Sequence, residues 1–257
     1  MKFIKKSNEP QKLRDFRQNN SGKRWEEFRQ QCRSGLNEVY KTLSNDQGGL
    51  CAYCEIKVDE SNHQVEHFHD KSDESDQENP TRWHLDWNNM LYCCQGGSRK
   101  SVDSKDRKQQ KENISCGQHK EIGEYQNILS PLEIPMFPRI FSYKIYDGEV
   151  WIHADETLCT EAGIDKNRVE QTIEILNLNC KRLLEARHKV YMPIMSVLNE
   201  KKPTPDQQKK LAIDFIGNKY ENGTWGQFFT MLRFIFKRVA DEYLEELRRN
   251  SIGISKN

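Results

Sequence analysis

The sequence predicts an α+β protein: a small cysteine-bearing β module set inside a mainly helical chain, with a separate β-hairpin. Three observations lead there. Cysteines, histidines and tryptophans concentrate between Cys51 and Lys120; the run FSYKIYDGEVWIH alternates apolar and polar residues around Asp147-Gly148; and the flanking stretches carry apolar residues at helical spacing. These features divide the 257 residues into a helical lead-in over 1–46, a chemistry-bearing module with the hairpin over 47–154, and a helical C-terminal region over 155–257. A chain of this length can bury a real core.

In chain order, Leu13, Phe16, Trp25, Phe28, Leu36, Val39, Tyr40 and Leu43 lie near a helical period and predict helices leading into the module. Within it, KSDESDQENP reads as an exposed loop, and QGGSRKSVDSKDRKQQKEN, between Cys94 and Cys116, as a flexible, basic-leaning one. Asp-Gly in FSYKIYDGEVWIH supplies the turn of two antiparallel strands. RVEQTIEILNLN, KRLLEARHKVYMPIMSVL and GQFFTMLRFIFKRVADEYLEELRR predict helices. The aromatic content of GTWGQFFTMLRFIFKR has two accounts: core packing, or a partner-docking face that would expose Phe228 and Phe236.

Composition narrows the function classes. Lys and Arg number 40 against 39 Asp and Glu, so no global field draws the chain onto a polyanion, and any nucleic-acid contact must be local. No apolar run approaches the roughly 18 residues of a membrane span. No apolar segment follows the basic MKFIKK, so no secretory leader is expected and the reading is cytoplasmic, with no membrane partner. In that compartment the eight cysteines are tested first as metal ligands.

Cys51 and Cys54, in CAYC, form a knuckle that can aim two thiolates at one metal. Closing a tetrahedral site needs a second pair, for which Cys116 is available together with Cys94 or Cys93, across a long polar excursion. Cys32, Cys159 and Cys180 fall in helical contexts, where a free cysteine is usually a small apolar residue. In QVEHFHDK, adjacent Glu66 and His67 point to opposite faces of a strand, yet at a strand end both can reach one site. A carboxylate that binds a divalent cation beside a histidine that deprotonates water is the division of labour phosphodiester hydrolysis requires. In LDWNNMLYCC, Asn88 or Asn89 could fix that histidine through a hydrogen bond. In CGQHK, a helix beginning at Cys116 would put His119 one turn on, able to reach the cation, with Lys120 facing phosphate. Arg99, Lys100, Lys105, Arg107 and Lys108 cluster in the long loop and could contact a nucleic-acid backbone.

The order CxYC, then EH, then Asn before a cysteine, then CxxxK resembles the HNH endonuclease superfamily, whose fold is a ββα-metal finger. QGGLCAYCE, VEHFHDKS, DWNNMLYCCQG, CGQHK, the DGEVW hairpin and TIEILNLN are similar to HNH proteins encoded with retrons and with Septu-type antiphage systems. The resemblance implies a zinc-pinned finger, with structural zinc on Cys51, Cys54, Cys94 and Cys116. It places the base on His67, the carboxylate ligand of a catalytic Mg or Mn on Glu66, and the middle asparagine on Asn89. It also implies an ABC- or SMC-like ATPase partner, a nucleic-acid substrate, and an association with a retron reverse transcriptase and its RNA-DNA hybrid. Three positions depart from the pattern. Glu66 stands where aspartate is common, Asp70 where a proline often fixes the turn, and Gly117 where Asn or His often follows the last cysteine, which leaves His119 as the replacement metal ligand and a less rigid turn at Asp70.

Overall fold

The computed structural model describes residues 1–76, 78–79, 81–98 and 112–254. Three helices, α1 (Gln11–Asn19), α2 (Trp25–Gln31) and α3 (Arg33–Gln47), precede the module. They pack Leu13, Phe28, Val39 and Leu43, all essentially inaccessible to solvent, against Trp87, Met90 and Tyr92. Gly48, in the left-handed region at φ 64°, ends α3; a Cβ there would meet the Trp225 ring at 2.4 Å, so the turn demands glycine for both conformation and space.

The CAYC knuckle follows, and then strand β1 (His63–His67) pairs antiparallel with β2 (Met90–Cys94), in the register His63↔Cys94 to His67↔Met90. The excursion between the two strands contains the short helix α4 (Arg82–Leu85) and a single 3-10 turn, Trp87–Asn89, in which the Asn88 amide donates to the Asp86 carboxylate. After the long loop the chain re-enters at Cys116, with φ 60°, through a 3-10 turn, Cys116–Gln118. The helix expected to begin at Cys116 is therefore not formed; the left-handed cysteine and the three-residue turn end the run before an α-helical turn can close.

The second hairpin forms as the sequence predicts. Strands β3 (Phe141–Tyr146) and β4 (Glu149–Ala154) pair with Tyr146 opposite Glu149, and Asp147 and Gly148 both have positive φ, the requirement of a type I′ turn. The remaining helices are α5 (Glu156–Glu161), α6 (Lys166–Ile175), α7 (Lys181–Glu200), α8 (Pro205–Ile216), α9 (Lys219–Asn222), α10 (Phe229–Phe236) and α11 (Arg238–Ile254). Among the described residues no helix is long and apolar enough to cross a membrane.

The cores cross the boundaries drawn from sequence. One cluster joins the module's cysteines to Val150 and Ile152 of β4, Val169 and Ile173 of α6, Leu183 of α7 and Met231 of α10. Another joins Leu50 to α7, α8, α10 and α11. Glu55, buried at the end of the knuckle, accepts bonds from the Thr230 amide (2.8 Å) and hydroxyl, while its carbonyl accepts from the Phe228 amide at 2.9 Å. The start of α10 is thereby seated on the cysteine-bearing module. Phe228 and Phe236 are 1% and 6% exposed, so of the two accounts of this stretch core packing holds for these rings, and the alternative that would expose them as a docking face does not. Phe228→Ala should cost about 3–5 kcal/mol of folding stability in a denaturant titration; a loss below about 1 kcal/mol would put the ring outside the core.

Candidate active site and metal centre

The Sγ atoms of Cys51, Cys54, Cys94 and Cys116 all lie within 4.8 Å of one another, and all four residues are buried. Cys51 and Cys116 are 3.9 Å apart, Cys54 and Cys94 3.7 Å, Cys94 and Cys116 3.9 Å. Burial opposes ionisation of Cys51, but hydrogen bonds from Cys116, Cys54, Cys93 and Cys94 bring its thiol well below the usual range; the bond to Cys51 pushes Cys116 up, and burial first of all pushes Cys54 up. Four sulfurs in a closed, dry pocket suit a structural metal such as zinc. Cys93 is equally buried but falls outside this group of four.

The return of Cys116 across the long excursion is fixed from the TIEILNLN region, and sequence reading did not anticipate how. The Cys116 amide donates to the Leu176 carbonyl at 2.8 Å, and the Asn177 side chain donates to the carbonyls of Glu112 (3.0 Å) and Ile114 (2.9 Å). Arg182 Nη2 donates to Ser115 Oγ at 2.7 Å, which in turn lies 3.5 Å from the Cys116 sulfur. Gly96 N–H faces the Cys94 sulfur at 3.4 Å. The only advance signal was the two asparagines of LNLN, residues suited to satisfying loop backbone.

A cleft of about 630 Å³ opens beside this centre, lined among others by Glu66, His67, His84, Gly117 and Lys120. His67, paired with Met90 at the very end of β1, faces the helical lead-in and meets the Trp25 ring edge-on at 5.3 Å. Its Nε2 lies 3.1 Å from the His84 carbonyl oxygen. A carbonyl can only accept, so Nε2 carries the proton and Nδ1 holds the lone pair. Burial first, then the nearby Lys71 ammonium, pushes the imidazole pKa down to about 3 against the His84 bond, so the ring is neutral at physiological pH. Glu66 is on the opposite face of the strand; burial raises its pKa and Lys120, 3.1 Å from Oε1, opposes the rise.

The asparagine that holds the site is Asn89. Its Oδ1 accepts from the His69 amide at 2.6 Å, and its Nδ2 donates to the carbonyls of His69 (3.0 Å) and Trp83 (2.8 Å), whereas Asn88 is exposed. Asn89 thus fixes the backbone just beyond His67; the ring itself is held by His84, a residue the sequence reading did not single out. Asp70, in the place of the rigidifying proline, accepts from the Gly123 amide and so tethers the turn by a hydrogen bond. Gly117 leaves the space that the longer carboxylate fills: a Cβ there would meet Glu66 Oε2 at 2.1 Å.

Two expected roles are not assembled. His119 is exposed, its Nδ1 bonded to the Ile175 carbonyl at 2.8 Å, and it does not line the cleft with Glu66 and His67. Lys120, read from sequence as a phosphate contact, is committed to Glu66 and to the carbonyls of His67 (3.0 Å) and Phe68 (2.6 Å). Arg99, Lys100, Lys105, Arg107 and Lys108 lie outside the described residues.

The relay from Arg182 through Ser115 to the Cys116 sulfur makes a prediction. Arg182→Met should release bound zinc to a chromophoric chelator about ten- to a hundredfold more readily than the parent chain, as removal of outer-sphere partners generally does. Unchanged release would show that the relay has no bearing on the metal.

No model of a known protein family matches the chain. The chain is, however, 35% identical over 212 residues, covering 74% of its own length and 79% of the relative's, to an Escherichia coli protein named "Retron Ec83 putative HNH endonuclease". An identity of that extent, on a chain that brings CxxC, Glu-His, Asn and a final cysteine to one hairpin and one cleft, settles its kinship: the chain belongs to the retron-associated HNH endonuclease family.

Proposed function

We propose that this chain is a metal-dependent endonuclease that hydrolyses nucleic acid, DNA in the first place, with His67 as general base, and that it acts as the effector subunit of an antiphage assembly. The observation that carries the reading is the fixed tautomer of His67: the His84 carbonyl holds the proton on Nε2 and leaves the lone pair on Nδ1 of a neutral ring, in a residue that lines the same cleft as Glu66. His67 Nδ1 takes a proton from water as its oxygen attacks phosphorus, and the bond to the leaving oxygen breaks. Asn89 positions this base indirectly, through the backbone of residues 68 and 69.

The donor set fits two kinds of metal. The four thiols suit structural zinc. Glu66 offers one buried carboxylate in an open cleft, and Mg or Mn is commonly held by one or two carboxylates together with substrate phosphate. Such an ion would supply charge neutralisation at the scissile phosphate. Glu66 Oε1 is bonded to Lys120, while Oε2 lies over Gly117. The family reading that assigned His119 to the same ion finds no support in its position.

Near-neutral charge supports dependence on a partner for substrate affinity, since duplex binding comes largely from neutralised phosphates. Within the cleft, Arg24 pairs with Glu74 at 2.7 Å and Lys71 with Glu26 at 2.5 Å, which spends two cations internally. An ABC- or SMC-like ATPase, and a retron reverse transcriptase with its hybrid, are the partners the resemblance suggests. A second reading, a zinc-stabilised binding module without catalysis, draws on His67 being only 8% exposed and on Lys120 occupying Glu66 Oε1.

Plasmid nicking in Mg or Mn, with the ATPase partner present, separates the two. The first reading predicts metal-dependent nicking that falls about 10²- to 10⁴-fold in His67→Ala, the usual contribution of a general base. It predicts a smaller loss in Gly117→Ala, whose new Cβ displaces the Glu66 carboxylate while four-thiol metal content stays intact. No nicking by the parent chain under these conditions favours the binding module.

A further inference from the structure

Away from the cleft, and sharing no residue with it, a pocket of about 390 Å³ lies between the first residues of the chain, the end of α3, and helices α9, α10 and α11. Its lining has two characters. Lys2, Lys5 and Lys219 supply cations; Trp225, Phe229 and the ring of Tyr220, together with Leu244 and Leu247, supply apolar surface, and the Lys219 ammonium lies 5.4 Å from the centre of the Tyr220 ring. Arg233 also borders it but is spent on Asp241, at 3.0 and 2.7 Å, and on the Met136 carbonyl at 2.9 Å.

Lys2 is the feature that demands a ligand. Its side chain is 94% buried by the complement of its 6% exposure, yet among the described residues its ammonium has no hydrogen bond and no ion pair. Burial, reinforced by repulsion from Lys219, pushes its pKa down to about 7, with Glu55 and Asp46 opposing. An amine in a wall this buried, beside a second amine and with no carboxylate at ion-pair distance among the described residues, favours entry of an anion into the pocket. Lys219 donates to the Asp46 carbonyl at 2.9 Å, and Asp46 Oδ2 accepts from the Ser7 amide at 3.0 Å, leaving that carboxylate able to accept from a ribose hydroxyl or an exocyclic amine.

We propose that this pocket binds a nucleoside phosphate, the phosphate between Lys2, Lys5 and Lys219 and the base against Trp225, Phe229 and Tyr220. The volume suits a single nucleotide rather than a strand, since ligand pockets of small molecules begin near about 300 Å³. Cations and flat rings in one pocket fit the two halves of such a ligand, and neither half alone would use both. The site is independent of the nuclease reading: it contains neither the thiols nor the Glu66 and His67 pair.

Calorimetric titration of the full chain with ADP tests it, with inorganic phosphate and a 5′-phosphorylated trinucleotide as further probes. The expected result is saturable binding of ADP at one site per chain, weakened about tenfold in Lys2→Gln and in Lys219→Gln, as loss of one charge-assisted contact should do, and unchanged in His67→Ala. Thermal unfolding of both lysine variants at the parent temperature excludes a folding defect. Competition by the trinucleotide would mark a strand terminus as the source of the nucleotide, and its failure to compete a free nucleotide. Absence of saturable ADP binding, equal affinity in the lysine variants, or phosphate binding as tightly as ADP would overturn the proposal.

Discussion

The convergence of four cysteine sulfurs within 4.8 Å is the constraint on which the rest of this structure depends. The knuckle, the end of β2 and the re-entry of the chain after a long polar loop come from distant parts of the sequence, and a closed thiol set is what brings them to one point. The residues proposed for catalysis are hung from that point. β2 carries Cys94 and aligns β1, so His67 and Glu66 sit toward the opposite end of the same hairpin from Cys94, where His67 pairs with Met90; Cys116 is followed directly by Gly117, over which the Glu66 carboxylate lies. The surrounding helices then pack on the hairpin, α1 to α3 against Met90 and Tyr92 of β2 and α6, α7 and α10 in the core that holds the four cysteines.

Much of this was legible in the residues, because the legible parts are local. CAYC announces a knuckle by its spacing, Asp147-Gly148 announces a turn by its tolerance of positive φ, and the helical runs announce themselves by period. What was not legible is what depends on distant partners. Nothing in CGQHK indicates that Cys116 adopts positive φ and forestalls a helix, which turns His119 toward the Ile175 carbonyl instead of toward Glu66. Nothing in the sequence says that His84, rather than either asparagine, holds the His67 ring, or that Asn89 acts on the backbone beyond it. The aromatic run around Phe228 carries the pattern of a core and of a docking face alike; only its seat on Glu55 decides for the core.

The departures from the family pattern compensate one another in physical terms. A glutamate reaches one methylene further than an aspartate, and the glycine after the last cysteine gives that reach somewhere to end. An aspartate in the place of a rigid proline recovers a fixed turn by accepting the Gly123 amide. Lys120 neutralises a carboxylate whose burial alone would favour its protonated form. The result is a neutral histidine and a partnered carboxylate in one cleft, beside four cysteine sulfurs sealed from solvent.

The central claim is that the four thiols bind one zinc ion and so fix the hairpin that bears Glu66 and His67. X-ray absorption at the zinc edge on the purified full chain tests this most directly. The account predicts one zinc per chain in a shell of four sulfurs at about 2.3 Å. A shell containing nitrogen or oxygen donors, or a chain that folds with the same stability and no zinc, would contradict it.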